Sequence, residues 1–294
     1  MELQIKMDQS ILESVLADLA LPAIHFLDVT GSTNDDAWQW VDAGAPHCAL
    51  VVADEQTSGR GRFQRHWVTL RGSGLAFSMV LLFPPLDPHY ITRITGLGAL
   101  AVCEALQKAY NLDAQIKWPN DILLNRRKVA GVLVDIHWEG EQLKAAVLGI
   151  GINIAPESID PQNLAPEKLM FPATCVENEL GSKVNRVGLL HTIISEVLDL
   201  LTILPSKNII DMWESQLAYS HQWVKLSDVR SAQRSNYEVA YPTERIGKVE
   251  GLTLDGSLKL ATKSGELLVV QAGEVHLVPI LDDHLPSKLD PIGG

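Results

Sequence analysis

Gly59-Arg60-Gly61-Arg62-Phe63-Gln64-Arg65-His66-Trp67 gathers three arginines, two glycines and a tryptophan into nine residues. No Asp or Glu occurs between Glu55 and Asp87, although the chain as a whole has a formal net charge of -12. An acidic chain that keeps carboxylates away from an arginine run has a local use for those cations. Glycines let main-chain N–H groups come close to a ligand, and guanidinium forks grip phosphate or carboxylate oxygens with paired hydrogen bonds. Alone, such a cluster is more commonly a solvated basic loop. A second run, Lys117-Trp118-Pro119-Asn120-Asp121, argues against that explanation. It offers a further cation at a strand end, since the residue before a proline is held extended, and Asn120-Asp121 fits a turn. Lys128 follows Arg126-Arg127 and stands before the small residues Ala130 and Gly131, which would let a ligand lie against the strand.

These groups need a scaffold. At 294 residues the chain can bury a large core, and its 46 % hydrophobic and 20 % charged residues are ordinary for a globular protein. It has no apolar run of membrane-spanning length and no signal-peptide pattern. Cys48, Cys103 and Cys175 match neither metal spacing nor an even disulfide set, so they read as reduced core thiols of a cytoplasmic protein. The acidic balance disfavours nucleic-acid binding. Walker-type, H-E-x-x-H and G-x-S-x-G motifs are all lacking.

Hydrophobic spacing predicts a short helix over 10–20, a strand over 23–29 and a helix from Ser32 or Thr33 to about Ala43. A strand over 49–53 delivers the arginine loop. Gly74 to Phe83 is a further strand stopped by Pro84-Pro85, and Asp87-Pro88 opens a helix. Three β stretches at 114–118, 127–138 and 143–154 are joined so tightly that antiparallel pairing is expected. Residues 155–184 read as irregular, followed by a helix around 187–201 and another after Pro205. Beyond Ser220 come short strands, with a hairpin at Asp255-Gly256. The domain reading is a core over 1–219, a small β-barrel over 220–281, and a disordered tail over 282–294.

In order along the chain stand Ser32-Thr33-Asn34, the arginine loop, Lys117 to Asp121, Lys128-Val129-Ala130-Gly131 and Gly151-Ile152-Asn153. This ordered set resembles the biotin protein ligases (biotin–[acetyl-CoA-carboxylase] ligases) over roughly residues 23 to 280. One departure is Gln64, where many members have a further loop glycine. The resemblance implies an α+β fold: a mixed, mainly antiparallel sheet flanked by helices, similar to class II aminoacyl-tRNA synthetase cores, with a C-terminal SH3-like barrel. It implies activation of biotin by ATP to biotinyl-5′-AMP, with Mg²⁺, and transfer to a lysine of a biotin carboxyl carrier protein or domain. Some members carry an N-terminal DNA-binding domain. About thirty residues precede Ser32, too few for a winged helix, so a short form without repressor function is expected, as a monomer or homodimer.

By the same resemblance, Ser32, Thr33, Asn34, Gln56, Gly59, Arg60, Gly61, Arg62, Lys128 and Gly131 are expected at biotin. Arg60, Arg62, Arg65, Trp67, Lys117, Asn120 and Asn153 are expected at ATP. Lys117, Lys128 and Arg62 are the catalytic candidates, and no metal ligand is assigned. Each has a plainer explanation. Ser32 and Thr33 suit a helix cap, Trp67 a core aromatic, Lys128 a solvated hairpin cation, Asp121 a turn as readily as a metal ligand, and Asn153 a buried polar group in need of partners. Rival functions are a lipoate or octanoyl ligase of the same superfold, a non-catalytic biotin or biotinyl-AMP sensor, and an RNA-binding module on a synthetase-like core. The arginine loop counts against the first, the paired lysines against the second, and the acidic charge against the third.

Overall fold

The structure is a computed structural model that describes residues 6–86, 90–139, 142–159, 172–228, 244–271 and 275–279. The expected helix start at Asp87-Pro88 and the tail at 282–294 lie outside these residues. The chain divides into two compact units, residues 1–218 and 219–294.

The first unit is built on a seven-stranded sheet of order β1-β2-β5-β9-β8-β7-β6. The strands are β1 (Ile24–Leu27), β2 (Leu50–Ala53), β5 (Gly74–Leu86), β6 (Ala114–Lys117), β7 (Asp121–Leu124), β8 (Arg127–Glu139) and β9 (Gln142–Asn153). Every pairing is antiparallel except β1 with β2. That parallel pair needs a crossover, which α2 (Thr33–Asp42) provides. The mixed, mainly antiparallel sheet flanked by helices is thus as the sequence implies. Several elements differ from the sequence reading. The helix expected over 10–20 is α1 (Gln9–Val15) followed by a short 3-10 turn (Ala17–Leu19), and the arginine loop is flanked by two strands of its own. Asp121 begins a strand of its own, because its backbone pairs with both Lys117 and Gly131. Within the stretch read as irregular, Val176–Leu180 forms a short helix, α4, ended by Gly181 in the left-handed conformation.

The period-2 alternation of β9 decides what each side of the sheet can do. Leu148 and Ile150 meet Gly98 of α3 (Tyr90–Tyr110), whose missing side chain lets helix and sheet approach. The helices α5 (Arg186–Thr202) and α6 (Asn208–Ser215) lie with α3 on that side, and Gly96 of α3 accepts the Trp213 indole of α6. On the other side, α2 covers Val51, Val80 and Val147 through Ala37 and Trp40. Farther along this face the odd-numbered residues of β9 are Gly149, Gly151 and Asn153, so the sheet is bare there. A separate two-stranded ribbon, β3 (Gln56–Arg60) with β4 (His66–Thr69), carries the arginine loop.

Arg186, in the first turn of α5, fixes the root of this region. Its guanidinium donates to Asp54 Oδ1 at 2.8 Å and to the Gly74 carbonyl at 3.0 Å. The pair is buried on both sides, and breaking such a pair strands a charge in the core. Cys48, Cys103 and Cys175 are buried free thiols, and no helix among the described residues is long and apolar enough to cross a membrane.

The second unit holds β10 (Trp223–Asp228), β11 (Glu244–Leu252), β12 (Leu258–Ala261), β13 (Leu267–Val270) and β14 (Val275–Pro279). They form an antiparallel sheet of order β13-β12-β11-β10-β14. Val224, Leu226, Val249, Leu258 and Leu260 make its buried side. Among the described residues the ladder is open between β13 and β14, so the expected barrel appears here as a five-stranded sheet.

Candidate functional site

The bare patch of the sheet is lined by Gly131, Gly149 and Gly151, with Gly131 and Gly151 direct partners across β8 and β9. Each glycine makes room for a neighbour. A Cβ on Gly149 would fall 2.0 Å from Asn34 Oδ1, and one on Gly151 would fall 2.4 Å from Trp67 Cε2. The Trp67 indole therefore packs against backbone that a side chain at Gly151 would block. Lys128 Nζ sits 5.5 Å from the Trp67 ring centroid, within cation–π reach.

At one end of the patch, uncharged side chains form a buried network. Ser32, Thr33 and Asn34 are each less than 5 % exposed. Gln56 Oε1 accepts from the Thr33 main-chain N–H at 2.8 Å and from the Thr33 hydroxyl at 3.1 Å. The Ser78 hydroxyl lies 2.8 Å from Thr33 Oγ1 and 2.7 Å from Asn34 Oδ1. Asn34 Nδ2 in turn donates to Asp135 Oδ2 at 2.9 Å. Ser32 takes the cap position of α2, but its side chain makes no capping hydrogen bond. Arg60 belongs to this end, where its guanidinium joins Asp35 at 2.8 Å and Asp135 at 2.6 Å.

At the other end, cations gather around a carboxylate. Asp121 Oδ1 lies 2.5 Å from Lys128 Nζ, and Oδ2 lies 3.8 Å from Lys117 Nζ. Arg62 reaches in from the loop and donates to Asn120 Oδ1 at 3.1 Å, while Asn120 Nδ2 donates to the Val132 carbonyl at 2.8 Å. Burial pushes the Lys117 ammonium down to about 8, against the pull of Asp121 and with help from Lys128 and Arg65. The Arg62 guanidinium is likewise lowered by burial, opposed by Asp121 and reinforced by Arg65. Such crowding of like charges in a half-dry cleft is poised to accept an anion.

The three-residue spacing of Lys128 and Gly131 has a structural reason. In a regular strand residues three apart face opposite sides. Here β7 pairs Ile122 with Ala130 but Leu123 with Lys128, so Val129 is an extra residue in a bulge. The bulge turns Lys128 onto the face that carries Asp121 and Gly131. Without it the ammonium would point to the α3 side.

Arg62, Trp67, Lys117, Asn120, Lys128 and Gly131 are thus brought together, and Ser32, Thr33, Asn34 and Gln56 form the adjoining network. Asn153 lies two residues beyond Gly151 on the same face, with its Nδ2 donating to the Thr174 carbonyl at 3.1 Å. Gly59 pairs with Trp67 across the ribbon, where a Cβ would fall 2.3 Å from the Trp67 carbonyl oxygen. Gly61 closes the loop by donating its N–H to the Arg65 carbonyl at 2.7 Å. Arg65 is exposed and acts on Lys117 and Arg62 through its charge. Phe63 takes a positive φ of 59° beside Gln64, a conformation in which a non-glycine residue is strained. Three contributors escaped the sequence reading: Ser78, Asp135 and Gly149. A lone serine in Leu75–Leu82 and a lone carboxylate in Val132–Ile136 were visible as buried polar candidates, and Gly149-Ile150-Gly151-Ile152 shows a strand bald on one face only.

Comparison with known proteins bears on this arrangement. The model of the Biotin/lipoate A/B protein ligase family matches residues 26–153, which contain both ends of the patch. The Bifunctional ligase/repressor BirA of Bacillus spizizenii is 36 % identical over 169 residues, 58 % of this chain and 50 % of that protein. The Biotin--[acetyl-CoA-carboxylase] ligase of Paracoccus denitrificans is 33 % identical over 252 residues, 84 % of this chain and 97 % of that protein. The chain thus spans about half the length of the two Bacillus BirA relatives and nearly all of the Paracoccus ligase. Among solved structures, the biotin protein ligase from Aquifex aeolicus in complex with biotin and ATP superimposes with a TM-score of 0.70 at 25 % identity. That match covers 88 % of this chain and 100 % of the other.

Proposed function

We propose that this chain, which belongs to the biotin/lipoate A/B protein ligase family, activates biotin with ATP and transfers it to a lysine of a biotin carboxyl carrier domain. In the first step a biotin carboxylate oxygen attacks the α-phosphorus of ATP. The bond to the bridging oxygen breaks, pyrophosphate leaves, and biotinyl-5′-AMP forms. In the second, a neutral lysine amine of the acceptor attacks the acyl carbon, AMP leaves, and the amide nitrogen gives up its proton. Neither step needs a protein nucleophile. Each needs fixed cations to offset repulsion between the anionic reactants and a dry surface to align them.

The observation that carries this reading is the pairing of a neutral buried network with a cation cluster along one bare sheet face. We assign the uncharged ureido ring of biotin to Ser32, Thr33, Asn34, Gln56 and the main chain of Gly59 to Gly61. Its N–H and C=O groups match side chains that both donate and accept. Arg60 stays with this end, steadied by Asp35 and Asp135. Lys128 bridges the biotin carboxylate and the α-phosphate beside Gly131. Arg62, Lys117, Asn120 and Arg65 take the phosphate chain, and Trp67 and Asn153 the adenine. Mg²⁺ would be supplied with the nucleotide, bound to its phosphates. The second unit, which we propose completes an SH3-like barrel, contributes to acceptor docking, and we place the protein in the cytoplasm.

The test is incubation of the purified chain with biotin, ATP, Mg²⁺ and an apo carrier domain, with labelling read by avidin blot. Transfer that depends on both biotin and ATP is expected. A folded chain that labels no carrier overturns the proposal.

A further inference from the structure

We infer that Asp121 is a positioning residue of the cation cluster: its carboxylate holds the Lys117 and Lys128 ammonium groups in register until a substrate anion takes them over. The inference deepens the ligase reading and rests on it. Both carboxylate oxygens are engaged, Oδ1 with Lys128 at 2.5 Å and Oδ2 with Lys117 at 3.8 Å. A residue needed for turn geometry alone would have no reason to face two cations. The backbone builds the arrangement from two sides. Lys117 and Asp121 are direct partners across the β6–β7 hairpin, and the Val129 bulge swings Lys128 to the same face. Lys117 is only 5 % exposed, so its flexible stem is already confined. Without a counter-ion, the two ammonium groups would repel one another and separate.

Among the charged groups acting on Lys117 are Asp121, Lys128 and Arg65, of which Asp121 alone is a carboxylate. The same carboxylate opposes the downward pull of burial on Arg62. Two consequences follow. An incoming phosphate competes with Asp121 for the same ammonium hydrogens, so the carboxylate weakens nucleotide binding. It also keeps Lys117 protonated to higher pH than the cluster would otherwise permit, so it supports turnover.

Asp121→Asn separates these effects, because it retains size and removes charge. KM for ATP is expected to fall, while kcat for biotin-dependent pyrophosphate release drops, most of all at and above pH 8, where Lys117 loses its proton sooner. The alkaline limb of kcat should move to lower pH, because the carboxylate that raises Lys117 is gone. Asp121→Glu, which restores the charge, should return the limb toward its parent position. A readout independent of turnover is competitive acetylation of the intact chain across pH, with Lys117 followed by mass spectrometry. Lys117 of the Asn variant should react at lower pH than in the parent. Unchanged acetylation together with unchanged KM and kcat would overturn the inference. So would a raised KM for ATP relieved by excess Mg²⁺, which would make Asp121 a metal ligand instead. If the parent releases no pyrophosphate, the ligase reading falls, and the acetylation profile still decides the role of Asp121.

Discussion

Around Ser78 the uncharged side chains hydrogen-bond to one another, whereas around Asp121 the cations Arg62, Lys117 and Lys128 crowd a single residue. Both ends stand on one glycine-lined face of one sheet, yet they handle polarity in opposite ways. The first end has Thr33, Asn34, Gln56 and Ser78 already hydrogen-bonded before any ligand arrives. It selects by shape and donor–acceptor geometry, because a wrong partner leaves buried polar groups unpaired. The cationic end holds like charges together against burial and repulsion. Its favourable interactions are realised in full only when negative charge enters, and most strongly where charge develops in the transition state. On the proposed ligase reading, one end would govern which acid binds, and the other how fast it is activated.

The largest effect expected from this division is at Lys117. Lys117→Met keeps the stem and removes the charge, and adenylation should fall by about 10²–10³, the usual loss for one transition-state donor. Biotin affinity measured by calorimetry without ATP should hold nearly constant. A parallel fall in both would mean that the two ends are one. Lys128→Ala should cost adenylation a similar factor, and unchanged single-turnover pyrophosphate release would return Lys128 to the status of a solvated hairpin cation.

Gly149→Ala addresses the neutral end. The new methyl would collide with Asn34 Oδ1, 2.0 Å away, and Asn34 is anchored by Ser78 and Asp135. Overpacking of this kind costs about 1–3 kcal/mol, and a cost of about 1.4 kcal/mol appears as a tenfold loss of biotin affinity. The rate at saturating biotin should change little, provided circular dichroism shows the variant folded. A slowed rate with intact biotin affinity would reverse the assignment of the two ends.

A smaller effect is the pH response. With Lys117 held near 8, adenylation should decline as pH rises through about 8, because the ammonium assigned to phosphate is lost. Stability runs the other way. The ordinary value of 10.5 lies above the folded one, so the unfolded chain binds more protons in that window and the lysine's penalty on folding is relieved as pH rises. The parent should therefore gain stability relative to Lys117→Met between pH 8 and 10. Denaturant midpoints that stay parallel across this range would show that Lys117 is not depressed.

How much of this was visible in the chain depends on whether a feature is local. The Ser-Thr-Asn run, the arginine loop and the lysines announce themselves by residue type and order, and they assemble as a group. Antiparallel pairing of β6 to β9 followed from short connections. What could not be read is register. The Val129 bulge that brings Lys128 over Asp121 depends on pairing between two strands, which neither sequence shows alone. The short strand β7 was hidden because Asn120-Asp121 has turn chemistry, and sheet pairing outweighed that local preference. Asp135 and Ser78 needed the knowledge that α2 lies against their face.

The smallest change predicted is at Ser78, which lies in the wall rather than on the open surface. Its side chain is fully buried, and its hydroxyl stands between Thr33 Oγ1 and Asn34 Oδ1 at 2.8 and 2.7 Å. With one hydrogen it can donate to only one of them at a time, so it acts as a spacer that fixes both. Ser78→Ala removes little volume and leaves Thr33 held by Gln56 through its main-chain N–H and Asn34 held by Asp135. The loss should thus be close to that of one net hydrogen bond, about 0.5–1.5 kcal/mol, and biotin affinity should fall no more than roughly tenfold. Because the cations lie at the other end of the patch, KM for ATP and the alkaline limb should stay where they are in the parent. A shift of the limb in Ser78→Ala would show that the neutral wall sets the protonation of Lys117, and the two ends would then have to be treated as one electrostatic unit.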